Sequence, residues 1–165
     1  MEMSNKYKQK GQSLIEALVA LGAAVLVVSA ITISVITALN NVQYTKNQNL
    51  AAQYAQQAME IMRQTSSSNW TLFSSYPTGT YCLDEGTSLL RAADPATSFC
   101  GQNYGIFVRE VDIKPNATKC VGGILTIVIV SWSDSKCTDT SNTYCHSVEL
   151  DSCFDNVNST IFNTP

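Results

Sequence analysis

A single carboxylate, Glu16, stands at the mouth of an apolar run that continues to Leu39. Between Ala17 and Leu39 there is no charged side chain and no proline, and Gly22 is the one glycine. As a helix these positions span roughly 35 Å, enough for the hydrocarbon core of a bilayer. A carboxylate in that layer costs several kcal/mol unless it meets a partner, and an ammonium group is the partner that neutralises it. The second reactive set is Cys82, Cys100, Cys120, Cys137, Cys145 and Cys153, all beyond the apolar run. An even number in a small exported domain reads as three disulfides. A metal site is the rival chemistry. No two of the cysteines have Cys-x2-Cys spacing and His146 is the only histidine, so neither metal nor cofactor is expected. His146 lies beside Cys145, and no spacing arranges serine, histidine and aspartate as a nucleophilic set. No enzyme is expected.

These residues must be positioned by a long helix and a small sheet. The apolar segment 12–39 exceeds the 7–15 residues usual for the core of a secretory signal, and a plain anchor has no use for Glu16. From Asn40 to Gln64 the chain turns polar but stays free of Gly and Pro. Leu50, Ala51, Tyr54, Ala55, Ala58, Ile61 and Met62 recur there at threes and fours. The pattern predicts one continuous helix from about Ser13 to Gln64, about 75 Å long. Its first half is apolar all round, and its second half packs one stripe on a domain. Asn40 and Asn41 mark the soft spot between them.

Ser66 to Asn69 read as the end of the helix, and 65–103 as a long loop with Pro77, Gly79, Gly86 and Pro95. Trp70, Leu72, Phe73, Tyr76 and Leu89 are the side chains expected to pack it on the sheet. Residues 104–113 read as a strand with Ile106, Val108 and Glu110 on one face, ended by a turn at Pro115-Asn116. Residues 123–132 are apolar at nearly every position, which predicts a central strand covered on both sides. Residues 146–151 alternate and read as a third, half-exposed strand. The fold class is α+β, a long N-terminal helix spine on a small antiparallel sheet, with a disulfide-bonded head over 65–165.

The strands constrain the bridges. An extended run of about ten residues holds Cys120 and Cys137 roughly 30 Å apart, beyond the reach of a bond. If 122–132 pairs antiparallel with 146–151, Cys137 meets Cys145 at the closed end and Cys120 meets Cys153 at the open end. Cys82–Cys100 then staples the long loop. Cys120 and Cys137 exchange partners if the third strand pairs elsewhere.

The run Gly11-Gln12-Ser13-Leu14-Ile15-Glu16, after the basic residues Lys6, Lys8 and Lys10, resembles the processing site of type IV prepilins and type II secretion pseudopilins. In that family a membrane peptidase cuts after the glycine and methylates the new amine. The resemblance implies a leader peptide over 1–11, cleavage between Gly11 and Gln12, and methylation of Gln12. It places Glu16 fifth in the mature chain, where a subunit's glutamate neutralises the N-terminal amine of its neighbour. The implied fold is the pilin fold. The implied partners are a prepilin peptidase, other pilin subunits and an inner-membrane assembly platform. The implied location is the cytoplasmic membrane for the single-pass precursor and an extracellular filament afterwards. Gln12 stands where phenylalanine is usual. Thr32, Ile33 and Ser34 stand where major pilins often carry a kinking proline, which leans toward a minor pilin or pseudopilin. The run from Val128 to Asp134 looks like the tail of minor pilins of the V type and of I-type pseudopilins.

The expected function is thus a structural subunit of a type IV pilus-like filament. The alternatives are a pseudopilin of a type II secretion or DNA-uptake system, and a membrane-anchored binding module that never polymerises. Losing residues 1–11 removes three lysines and Glu2, leaving seven basic and twelve acidic side chains in the 165-residue chain's remainder. That acidic balance argues against a general nucleic-acid groove. The sequons at Asn116 and Asn158 carry little weight in a bacterial protein.

Overall fold

The computed structural model describes residues 9–97, 99–134, 136–138 and 143–156, with side chains in the first helix from Leu14 onward. Lys6 and Lys8 of the expected leader, and the sequon at Asn158, lie outside the described residues. The chain divides into two compact units, Met1–Tyr44 and Thr45–Pro165. A single helix, α1 (Gln9–Ser68), contributes to both.

In the first unit, α1 is apolar on every side. Its large hydrophobic residues from Leu14 to Val42 are 51–72% exposed. The segment is long and apolar enough to cross a membrane. Its hydroxyls are satisfied inside the helix. Ser29, Thr32, Ser34 and Thr37 donate to the carbonyls of Val25, Val28, Ala30 and Ile33 at 2.8–3.0 Å. Each therefore needs no water and no neighbour, the condition for a polar group in lipid. Asn40 and Asn41 do not interrupt the helix.

In the second unit, residues 45–68 of α1 pack on an antiparallel sheet. Ala51, Ala55, Ala58, Met59 and Met62 are buried in one stripe, with Leu50, Tyr54 and Ile61 half-buried along its flanks. The helix outlasts the expected end at Gln64. The hydroxyls of Thr65, Ser66 and Ser67 donate to the carbonyls of Ile61, Arg63 and Gln64, so the polar cluster extends the last turn. Asn69 then leaves helical geometry, and its Oδ1 accepts the N–H of Leu72 to open a short helix, α2 (Trp70–Ser74).

The expected loop 65–103 holds more than loop. Beyond α2 it contains β1 (Gly79–Cys82) and β2 (Arg91–Ala92). Then come β3 (Phe107–Pro115), β4 (Ile124–Trp132) and β5 (His146–Phe154), in a sheet of order β2-β1-β3-β4-β5. β1 was illegible because four residues beginning with glycine show no alternation; pairing with β3 makes it a strand. Of the side chains expected to pin the loop, Phe73 is fully buried, Trp70 and Tyr76 are half-buried, and Leu72 and Leu89 are exposed.

Two further expectations are corrected. β3 starts at Phe107, because Gly105 at φ 59° turns the chain and the Phe107 N–H closes back on the Tyr104 carbonyl. Ile106 therefore stands exposed in a turn, and the core face is Phe107, Arg109, Val111 and Ile113. Their cross-strand partners Trp132, Val130, Val128 and Thr126 complete it. β4 is buried on that face alone over most of its length. On the opposite face Ile127 and Ile129 are half-exposed, flanked by Glu110 and Asp112 on β3 and by Glu149 and Asp151 on β5.

Candidate functional site

The residues singled out for processing and assembly lie in the first unit. Gly11 and Gln12 are already in the helical backbone, since α1 begins at Gln9. Glu16 follows Gln12 by four residues, just over one helical turn, and its side chain is exposed. The apolar surface beyond it can pack against lipid or against apolar helices like itself.

The head is organised around a residue that the sequence reading passed over. Arg109 is 1% exposed in the middle of β3. Its Nε donates to the Leu83 carbonyl at 2.9 Å, Nη2 to the Asp84 carbonyl at 3.2 Å, and Nη1 to Gln57 Oε1 on α1 at 3.1 Å. The guanidinium lies 4.2 Å from the centroid of the Tyr104 ring, whose hydroxyl donates to the same Gln57 oxygen. Asn103 clamps the Arg109 backbone from both sides, accepting its N–H at 2.7 Å and donating to its carbonyl at 2.9 Å. Burial pulls the guanidinium below its ordinary value, while Tyr104 and Asp84 support its charge. One cation thus joins α1, β3 and the segment after β1. The available signal was an arginine between Phe107 and Val111 in strand alternation, a position where charge is rare unless partnered.

Two carboxylates near it behave oppositely. Asp84 makes a two-pronged pair with Arg91, both contacts at 3.0 Å, which holds its carboxyl below the ordinary range. Glu110 is half-buried. Burial pushes its carboxyl up, the N–H of Cys100 that bonds it at 3.1 Å pulls it down, and Asp112 pushes it up again; the net direction is up. A raised folded-state value means the fold prefers protonated Glu110. The preference is fully present below the ordinary carboxylate value and is lost as pH rises through the raised one. Glu110→Gln keeps the acceptor for Cys100 and removes the charge. It is expected to melt higher than wild type at pH 7, with the gap closing by about pH 3, as read by thermal scans across pH.

The three bridges join Cys82 to Cys100, Cys120 to Cys153 and Cys137 to Cys145. The partners are those of the hairpin argument, because β4 and β5 pair antiparallel over their whole length. The Cys120–Cys153 bridge closes over Gly123, where a Cβ would sit 2.5 Å from the Phe154 carbonyl oxygen and 2.9 Å from Cys120 Sγ. At the other end of the hairpin, His146 stacks on Trp132 at 5.4 Å and its Nε2 meets Asp134 Oδ1 at 3.1 Å. Asp134 also accepts the N–H of Lys136 at 2.8 Å and sends its own N–H toward Cys137 Sγ at 3.5 Å. Burial raises the Asp134 carboxyl, but the bonds from Lys136 and His146 outweigh it and leave the group below its ordinary value. Asp134 was not foreseen as a partner for His146, since the two are twelve residues apart and meet only across the hairpin.

An open hollow of about 350 Å³ lies beside the end of β5, lined by Arg63, Ser66, Trp70, Phe154 and Asn156 among others. No family model, no curated protein and no solved structure matches the chain.

Proposed function

We propose that the chain is a structural subunit of a type IV pilus-like filament, assembling through α1 and displaying the disulfide-bonded head. The observation that carries this reading is the placement of Glu16. It is the lone carboxylate at the start of an all-round apolar helix, five residues after Gly11 and behind a basic leader. A helix that only anchored a head would gain nothing from a charge there. A helix that packs against copies of itself gains a register device, because a misplaced neighbour leaves the carboxylate unpaired. In this reading residues 1–11 are a leader, the amine of Gln12 is the partner of the neighbouring subunit's Glu16, and a prepilin peptidase and an inner-membrane platform handle the precursor. The internally bonded hydroxyls of Ser29, Thr32, Ser34 and Thr37 support it, since they let α1 pack equally against lipid or helices. A pseudopilin of a secretion or DNA-uptake system has the same mechanics.

The direct test is the mass of the assembled protein. The mature chain is expected to begin at Gln12 with one extra methyl group on its amine. Intact-mass analysis that finds Met1 retained in the filament fraction, or a start within residues 20–40, overturns the reading.

A further inference from the structure

The turn between β4 and β5 gathers four side chains of metal-binding type. One ligand atom each from Asp134, Cys137, Cys145 and His146 lies within 4.8 Å of the others, and all four residues are half-buried. Two of them are joined as a disulfide in the structure. A tetrahedral zinc ion bound by two thiolates, an imidazole nitrogen and a carboxylate oxygen separates such atoms by about 3.3–3.8 Å. The four atoms therefore need only small shifts to enclose the ion once the sulfurs are apart.

We propose that in the thiol form of the chain these four residues bind one zinc ion, and that the metal and the Cys137–Cys145 bond are alternative clasps for the same hairpin end. The donor set suits zinc: two soft sulfurs, one imidazole and one carboxylate, from both sides of a turn. The frame is held independently of the bridge. Asp134 is fixed by the N–H of Lys136, and His146 by the Trp132 ring and by its place as the first residue of β5. Among the described residues Asp134 meets Lys136 and His146 through Oδ1, and a turn of the carboxylate presents Oδ2 to a metal. Of the three bridges, this one closes the shortest loop, with a sequence separation of 8 against 18 and 33, so its opening frees the unfolded chain least. Both its cysteines are half-exposed, whereas each other bridge has one buried cysteine.

The chemistry balances without a resident redox group. Before oxidation, zinc takes the place of two thiol protons, which pass to solvent as two zinc–sulfur bonds form. Conversion to the disulfide requires an oxidant of the disulfide class. That oxidant accepts two electrons from the two thiolates and two protons from solvent to become two thiols, while the sulfurs join and the zinc ion leaves.

The test uses the full chain in detergent, with a phosphine reductant and zinc titrated against a chromophoric chelator. Wild type, reduced, is expected to take up one zinc ion per chain more than Cys137→Ser/Cys145→Ser under the same reductant, and the excess should vanish in the oxidised chain. His146→Gln and Asp134→Asn should each weaken that site by about tenfold or more. Cobalt provides a readout on wild type alone, a tetrahedral spectrum with thiolate charge-transfer intensity for two sulfurs. Equal uptake by wild type and the double serine variant overturns the proposal. So does a reduced wild type that takes up no zinc, or an affinity that neither His146→Gln nor Asp134→Asn changes, which leaves adventitious thiol binding only. None of these readouts depends on filament assembly.

Discussion

Chains carrying Glu16→Ala or Glu16→Val are expected to insert into the membrane at least as well as wild type and to be nearly absent from sheared filaments. The two halves of that expectation come from one charge. Removing a carboxylate from the edge of the hydrocarbon layer lowers the cost of insertion. In the proposed filament the same removal leaves the ammonium of the neighbouring subunit's Gln12 without its partner in apolar surroundings, a loss of several kcal/mol where such a pair is broken on one side only. Since each 1.4 kcal/mol is about a tenfold change in an equilibrium, incorporation should fall by about two orders of magnitude. The measurement is quantitative mass spectrometry of the filament fraction beside that of the membrane fraction. Equal incorporation of variant and wild type sinks the register role of Glu16. A variant lost from the membrane as well marks Glu16 as an insertion determinant, which sinks it too.

Replacement of Arg109 is the change with the largest expected effect on the head. Arg109→Met fills much of the same space but strands the Leu83 carbonyl, takes one donor each from the Asp84 carbonyl and Gln57 Oε1, and removes the cation over Tyr104. The loss of three hydrogen bonds from a buried charged donor is expected to cost about 3–5 kcal/mol. For a head of this size that lowers the melting temperature by roughly 10–20 °C. Gln57→Ala should cost less, about 1–2 kcal/mol, because it takes away one acceptor and leaves the cation its two carbonyls. Combined with Arg109→Met it should add little, since the two residues share the interaction. Denaturant or thermal unfolding of the four chains, with bridges intact, completes the cycle. Strict additivity of the two changes would show that Gln57 and Arg109 do not act together.

The amino-acid sequence by itself determined the features that follow from local pattern. Twenty-three residues without charge or proline after Glu16 make a membrane-length helix whatever surrounds them, because helix hydrogen bonds close within the segment. The three- and four-residue recurrence of Ala51, Ala55, Ala58 and Met62 named the buried stripe in the same way. The apolar run 123–132 and the alternation of 146–151 marked two strands and ruled out a Cys120–Cys137 bond, since a rigid strand cannot bring its own ends together. The joining of Cys120 to Cys153 and Cys137 to Cys145 hung on an antiparallel pairing that the tertiary structure supplies. Tertiary structure decided the rest. Gly79–Cys82 is a strand only because β3 lies beside it. The polar run 65–68 is helix because its hydroxyls bond back into the preceding turn, where composition alone signalled an end. Arg109 sits in the core because Gln57, Leu83, Asp84 and Tyr104 converge on it from positions 5 to 52 residues away, a convergence no local window contains. Asp134 and His146 meet for the same reason, across a turn that the β4–β5 register draws shut. Local hydrogen bonding and apolar periodicity are written residue by residue, whereas the desolvation of a charge is settled only when every group around it has arrived.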